Sequence, residues 1–236
     1  WKTNYYLTLT TNGQGAVDKT NGWNAAGSAN VITATPSSHY HFVSWTGDTG
    51  GCAIAGNVIT AAMTQARSIT AGFAIDTQSL AVVSFYGNAT PGEGTNWYDY
   101  GATVHASVTN ATVANGSTTQ YVCSAWTGTG SVTNGTGTNT SFSITNDSSI
   151  AWTWKTNYYL TLTTNGQGAV DKTNGWNAAG SANVITATPS SHYHFVSWIG
   201  DTGGCAIVGN VITAAMTQAR SIAAGFAIDT QSLAVV

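Results

Sequence analysis

Alternating apolar and polar residues recur along the chain and predict β-strands. Over residues 5–10, 68–73 and 103–108, apolar or aromatic residues alternate with mostly polar or small ones. A period of two with many β-branched and aromatic residues is typical of half-buried antiparallel strands. Asn-Gly pairs favour tight turns, and they stand at 12–13, 21–22, 115–116 and 134–135. The pattern therefore predicts an all-β protein.

An alanine-rich stretch is the best candidate for a helix. Residues 59–67 contain Ala61, Ala62 and Ala66, and they lie between two strand-like runs. Because this stretch is shorter than a stable helix usually is, we predict strand, turn and strand instead. The spacing of the runs predicts about six strands in each folding unit, at the small end of domain size.

The chain contains a long internal repeat. Residues 1–83 recur as residues 154–236, at an offset of 153. The copies are identical at 80 of 83 positions, and they differ at Thr46/Ile199, Ala55/Val208 and Thr70/Ala223. Such identity indicates a recent duplication and a repeat architecture. We expect the sequence to be a window of a longer array with this period.

A weaker similarity inside the period defines two types of module, A and B. Trp23 and Trp97 each stand four residues before a glycine, and Trp45 and Trp126 each begin a Trp-Thr-Gly motif. We therefore predict the end of a B module at 1–3, an A module at 4–76, a B module at 77–154, a second A module at 155–229 and the start of another B module at 230–236.

The joints between these modules contain no flexible linker. Within residues 149–163 the last strand of the B module runs almost directly into the first strand of the second A module. No Pro-rich, Gly/Ser-rich or charged segment intervenes, as a string of independent domains would need. The expected architecture is an extended rod of small antiparallel β-sandwich or β-barrel-like modules, stabilised partly by contacts between neighbours.

The composition narrows the function. Only 6% of residues are charged, against about 25% in an average protein. Six Lys and Arg against nine Asp and Glu give a net charge of −3, which excludes the basic footprint of a nucleic-acid partner. The apolar runs are shorter than the roughly 18 residues of a membrane span, so we expect no membrane insertion in this segment. The hydrophobic fraction of 42% and the aromatic fraction of 11% favour packed cores.

The sequence resembles a known family of repeats. The motifs that carry the resemblance are Tyr-Tyr-Leu-Thr-Leu at 5–9, Thr-Ala-Thr-Pro at 33–36, Phe-Val-Ser-Trp-Thr-Gly-Asp at 42–48 and Ile-Thr-Ala-Gly-Phe at 69–73. They are similar to the divergent internalin-type B-repeat family of long secreted and surface-anchored bacterial proteins. The B module looks like a companion type. The resemblance implies small β-rich modules, an extracellular or cell-surface location and no enzymatic activity.

Two pairs of histidines have the spacing of metal ligands. His39 and His41, and again His192 and His194, stand two residues apart, which places both side chains on one face of a strand. Two ligands do not make a closed metal site, and no Asp or Glu lies within five residues. We therefore predict no metal and no cofactor, and keep the four histidines as weak candidates.

The sequence leaves two interpretations of the cysteines open, a disulfide cross-link or unpaired thiols. Cys205 is the copy of Cys52, so each period of 153 residues contains Cys52 and Cys123. A cross-link between adjacent modules or between chains is one reading, and for it Cys52, in a glycine-containing loop, is the better candidate. Buried or free thiols are the preferred reading, especially for Cys123 in a hydrophobic strand.

Recurrent tryptophans give a further candidate site. Trp23, Trp45, Trp97 and Trp126 alternate with polar residues, which favours packing in the core or between modules. Rings of this kind stack on sugars when they are exposed. The best candidate for such an exposed aromatic platform is the B-module cluster of Trp97, Tyr98 and Tyr100.

Six Asn-X-Ser/Thr sequons lie in the B module and none lies in either A copy. They are candidate sites of glycan attachment, although the density of Asn, Ser and Thr in this region also produces such triplets by composition. The six asparagines are Asn88, Asn110, Asn115, Asn134, Asn139 and Asn146.

The sequence contains no recognisable catalytic motif. It has neither a Gly-X-Ser-X-Gly elbow nor a Cys-X-X-Cys pair, so we predict no catalytic residues and no enzyme. We expect a structural protein whose partners are other copies of itself and whose modules form a surface fibre, sheath or layer. An adhesin stalk or carbohydrate-binding array, with glycans as partners, is the alternative.

Overall fold

The computed structural model describes residues 1–231, and within them the secondary structure consists of β-strands. This confirms the predicted all-β class. The first A module contains β1 (Asn4–Asn12), β2 (Gly15–Val17), β3 (Gly22–Ala25), β4 (Ala29–Pro36), β5 (Tyr40–Gly47), β6 (Ala53–Ala55), β7 (Val58–Ala62) and β8 (Arg67–Ile75). The prediction of strand, turn and strand over 59–67 is thus confirmed.

The B module continues the series of strands. It contains β9 (Thr77–Val83), β10 (Asn88–Thr90), β11 (Gly94–Asp99), β12 (Thr103–Thr109), β13 (Thr112–Asn115), β14 (Thr119–Thr129), β15 (Gly135–Thr136), β16 (Asn139–Ser143) and the first part of β17 (Ser148–Asn165).

The second A module begins within β17 and repeats the strands of the first. Its further strands are β18 (Gly168–Val170), β19 (Gly175–Ala178), β20 (Ala182–Pro189), β21 (Tyr193–Gly200), β22 (Ala206–Val208), β23 (Val211–Ala215) and β24 (Arg220–Ile228).

The first A module is a sandwich of two four-stranded sheets. Their strand orders are β3-β1-β8-β5 and β2-β4-β7-β6. The module has eight strands where the sequence predicts about six, because β2 and β6 are only three residues long and are too short to show alternation. In the B module β14 pairs antiparallel with β17, as β5 pairs antiparallel with β8 in the A module.

In each A module the sheet that contains the first and last strands is mixed rather than purely antiparallel. Strand β1 pairs in parallel with β8, from Leu7 opposite Arg67 to Asn12 opposite Gly72. Strand β17 pairs with β24 in the same way in the second copy. Since β1 and β8 are the first and last strands of the module, their parallel pairing makes the chain enter at one end of the sheet and leave at the other.

The core of the A module lies between its two sheets. Strands β1 and β8 direct Leu7, Leu9 and Ile69 inward, and β4 and β7 supply Ile32 and Ile59 from the facing sheet. Burying a side chain of this size stabilises the fold by about 1.5–3 kcal/mol relative to leaving it exposed. These residues therefore account for the period of two in the sequence.

The tryptophans divide between core and surface. Trp45 and Trp126 are buried, as the sequence predicts. Trp23 and Trp97 are not core residues, because they are 71% and 65% exposed. Both lie on edge strands, β3 and β11, and an edge strand has no neighbour on its outer side to cover a large ring. Alternation alone does not distinguish an edge strand from a central one.

A buried arginine at the start of β8 is bonded to the end of β7 and to the loop after β5. Arg67 is only 4% exposed, and its guanidinium donates hydrogen bonds to the backbone oxygens of Ala62 and Asp48, each at 2.7 Å. The carboxylate of Asp48 in turn accepts the backbone N–H of Ser68 at 2.9 Å. Arg220 makes the same bonds in the second copy. A buried charge is tolerated here because its donors are used on the backbone.

The described chain divides into two compact units that do not follow the repeat boundaries. Unit 1 consists of Trp1–Leu80, Thr95–Val104 and Phe142–Ser148, and unit 2 of Ala81–Gly94, His105–Ser141 and the described residues from Ser149 onward.

Within unit 1 an aspartate links the segment between β16 and β17 to strand β9. The Asp147 carboxylate accepts both the backbone N–H and the hydroxyl of Ser79, at 2.8 and 2.9 Å. These two hydrogen bonds hold the pKa of Asp147 below its ordinary value, since they favour the ionised form.

Within unit 2 one strand belongs to two modules. The first part of β17 pairs with β14 over Ser149 to Tyr158, and its second part pairs with β19 and β24. At Asn157 and Tyr158 the two pairings overlap, with β14 on one edge and β19 on the other. Where the sequence predicts no linker, the structure therefore has one unbroken strand that crosses the joint.

In the described residues no helix has the length and hydropathy needed to cross a membrane.

Gly15 offers a test of the core packing. A Cβ at this position in β2 would lie 2.5 Å from atoms of the Phe73 ring, which extends from β8 and packs over Gly15. We expect Gly15→Ala to destabilise the first A module by about 1–3 kcal/mol, because the ring must move out of a packed core. Denaturant unfolding would measure the loss. Gly22→Ala is the matched control, since a Cβ there meets nothing within 4 Å, and equal stabilities for the two variants would contradict the packing described.

Asp147 predicts a pH dependence. A carboxyl whose pKa is lowered by folding contributes stability above its unfolded pKa of about 4, and this contribution disappears as the pH falls through the lower folded pKa. Wild-type protein should therefore be more stable than Asp147→Asn at pH 7, and the difference should vanish in acid. Unfolding at a series of pH values measures this. Glu93→Gln removes another charge of the B module and serves as the control, and a constant difference for Asp147→Asn would refute the prediction.

Candidate functional site

The first pair of histidines lies where the A module meets the B module, inside unit 1. His39 occupies the turn before β5 and has a φ of 66°, a left-handed conformation that is uncommon outside glycine. Its ring stacks on that of Tyr100, with centroids 3.5 Å apart and planes 7° from parallel. The backbone is tied at the same place, because Asp76 N–H donates to the His39 oxygen and Tyr100 N–H donates to the Asp76 oxygen.

The second histidine of the pair has a different partner. The Nδ1 atom of His41 lies 2.9 Å from a carboxylate oxygen of Asp76. His39 precedes β5 and is outside the regular strand, so the two imidazoles are not brought together as two strand positions would be. Within residues 1–231, no group of three or more His, Cys, Asp or Glu side chains is arranged to hold a metal ion.

The second copy repeats this local geometry. His192 has a φ of 67°, and His194 Nδ1 lies 2.9 Å from a carboxylate oxygen of Asp229. Residues 232–236 of the predicted next B module lie outside the described residues. In the first copy the arrangement is structural in character, since ring stacking, the contact of His41 with Asp76 and backbone hydrogen bonds all hold the turn at the module end.

The three cysteines are free thiols. Cys123 is buried in β14, and burial raises the pKa of its thiol, which keeps it protonated at neutral pH. Cys52 and Cys205 are half-buried and pack against the cores of their modules. A cross-link through Cys52 or Cys205 stays a prediction.

The six sequon asparagines are all exposed. Asn134 also has a structural role, because its side-chain oxygen accepts the backbone N–H of Gly128 at 2.8 Å. Asn110 stands in a turn with a φ of 55°. Exposure is necessary for glycan attachment, and the assignment of these sites stays a prediction.

The aromatic cluster of the B module is divided by the alternation of β11. Trp97 is exposed on the edge strand, whereas Tyr98 is half-buried and burial raises the pKa of its hydroxyl. Tyr100 follows the strand and lies against His39. Trp97 and Tyr98 therefore face opposite sides of the strand and do not form one continuous platform.

A separate aromatic groove lies in unit 2 and has a volume of about 470 Å³. Its aromatic lining consists of Phe85, Tyr86, Tyr121, Trp152 and Trp154. Its polar lining consists of Thr127, Thr153 and Thr156, and Ala151 completes the surface. We call this surface the aromatic groove.

The rings of the aromatic groove are held by one another. Tyr86 and Tyr121 stack with centroids 3.9 Å apart and planes 7° from parallel, and Trp154 meets Tyr86 edge to face at 5.6 Å. A hydrogen bond between the two tyrosine side chains is the main cause that raises the pKa of Tyr86. The raised pKa keeps the phenol of Tyr86 neutral at physiological pH.

Sequence reasoning missed this groove because its residues come from distant strands. Tyr86 follows β9, Tyr121 lies in β14 and Trp154 lies in β17. One signal was present: at the position of Trp154, in the motif of the module's last strand, the A module has the smaller Phe73. A larger ring specific to the B module at that position indicates a surface that the A module lacks.

Comparison with known proteins gives one family. The chain matches the divergent InlB B-repeat domain over residues 5–77 and over residues 158–230. No curated protein and no solved structure matches it. The two matched segments, one on each A copy, cover more than half of the chain, and the chain therefore belongs to the divergent InlB B-repeat domain family.

Proposed function

We propose that the chain is a non-enzymatic structural repeat protein of the cell exterior, whose modules assemble into a surface fibre, sheath or layer. Divergent B-repeat domains are typical of bacterial surface proteins, which supports the location. The observation that carries the proposal is the strand β17, which continues for 18 residues from the B module into the second A module.

A shared strand resists bending and stretching at the joint. To separate the modules, the ladder between β17 and β14 or that between β17 and β24 has to break, and each ladder consists of several backbone hydrogen bonds. A flexible linker would instead yield with almost no resistance. This continuity suits a load-bearing array better than a set of independently moving binding domains.

Uncharged edge strands supply a surface for association between chains. Strand β6, with the sequence Ala-Ile-Ala, and its copy β22, with Ala-Ile-Val, end their sheets, and all three residues of each are exposed. Soluble proteins commonly protect such edges with lysine or proline. Neither strand carries such protection, and the partner we propose is a second copy of this chain.

Hydrogen–deuterium exchange tests the continuous strand. Peptides that contain residues 150–157 should exchange slowly, because their amides lie within a paired strand. The matched control is in the same chain, since Trp-Lys-Thr-Asn occurs at residues 1–4 and at residues 154–157. Residues 1–3 precede β1, so the first three residues of the first occurrence should exchange within seconds. Equally fast exchange at both places would show a flexible joint and refute the proposed mechanism.

Charged substitutions test the association. We expect the wild-type chain to form ordered polymers at high concentration, as measured by electron microscopy and light scattering. The double variant Ile54→Lys, Ile207→Lys should remain monomeric, because it places a charge on both exposed edges. Thr20→Lys with Thr173→Lys adds the same charge in loops and should still polymerise. A wild-type chain that stays monodisperse, or equal effects of the two double variants, would contradict the proposal.

A further inference from the structure

We propose that the aromatic groove of the B module binds a neutral carbohydrate chain. This binding site is separate from the structural role proposed above and does not depend on it. The volume of about 470 Å³ is within the range of ligand sites, which is about 300–1,000 Å³.

The surface of the groove matches the two kinds of surface on a sugar. A pyranose ring has faces of C–H groups, which carry partial positive charge and pack on the electron-rich faces of aromatic rings. Phe85 is 80% exposed and presents such a ring to solvent. The hydroxyls of Thr127 and Thr153, both on exposed residues of the lining, donate and accept hydrogen bonds as sugar hydroxyls do.

The lining carries no ionised side chain at neutral pH. It consists of aromatic residues, threonines and one alanine. A phosphate, a sulfated sugar or an acidic peptide would find no cationic partner there. The groove therefore selects an uncharged ligand.

The groove is largely ordered before a ligand arrives. The hydroxyl of Ser84 donates to the backbone oxygen of Tyr86 at 2.6 Å and accepts the indole N–H of Trp154 at 3.2 Å. Together with the stacking of Tyr86 on Tyr121, these bonds fix the walls of the groove. A site that is already ordered loses less conformational entropy on binding.

The same bonds argue against a proline-rich peptide, the other ligand that aromatic grooves commonly take. Such a peptide presents backbone carbonyls and needs donors on the protein. The indole N–H of Trp154 is already used on Ser84, and Trp152 is only 3% exposed. The remaining hydroxyls both donate and accept, which fits a polyol better than a row of carbonyls.

Titrations with defined oligosaccharides test the site. The probes are cellohexaose, laminarihexaose, mannohexaose and chitohexaose, with decaproline as the peptide probe, and binding to the full chain is followed by tryptophan fluorescence and calorimetry. We expect saturable binding of at least one hexasaccharide. Phe85→Ala should weaken it about tenfold, since an aromatic contact contributes on that order.

Two further variants separate the groove from other surfaces. Thr153→Val keeps the shape of the side chain and removes its hydroxyl, so it should also weaken binding. Trp97→Ala removes an exposed ring outside the groove and should leave the affinity unchanged. Circular dichroism of each variant checks the fold. Failure of all four hexasaccharides to bind, saturable binding of decaproline instead, or loss of binding in Trp97→Ala with Phe85→Ala unaffected would each overturn the proposal.

Discussion

Strand β17 supplies backbone hydrogen bonds to two modules at once, and much of unit 2 follows from that arrangement. At Asn157 and Tyr158 it is paired on both edges, with β14 of the B module and with β19 of the second A module. Further along, β24 follows β14 on the same edge. The joint is thus built of the same interactions as the interior of a sheet.

Local features of the fold were predictable from the sequence because they depend on neighbouring residues. A period of two requires only that one face of a strand is buried, so the inward positions of Leu7, Leu9 and Ile69 could be predicted directly. The strand, turn and strand over 59–67 could also be predicted, because the stretch is too short for a stable helix and is flanked by strand-like runs. The resemblance to B-repeats could also be identified, because its motifs are short core and turn segments.

Features that depend on distant residues were not predictable. Alternation does not show which strands pair, so the parallel pairing of β1 with β8, about 60 residues apart, was missed. The predicted histidine pair assumed a regular strand, but His39 takes a left-handed turn and stacks on Tyr100 of the B module. The aromatic groove was missed for the same reason, since its rings come from distant parts of the sequence and meet only in the folded module.

The differences between the A copies show where the fold permits change. The core is identical in the two copies, and the three substitutions are at exposed or half-exposed positions. Two of them are neighbours, because Thr46 is opposite Thr70 between β5 and β8, and Thr70 shares a hydrogen bond of 2.7 Å with Thr10. In the second copy Ile199 is opposite Ala223 at the equivalent positions, so an apolar pair replaces the pair of threonines. The third change makes the edge strand β22 more apolar, with Val208 79% exposed. Since the core is fixed by packing between the sheets, the three differences between the copies have accumulated outside it. Positions outside the core are those at which one copy can acquire contacts that the other lacks.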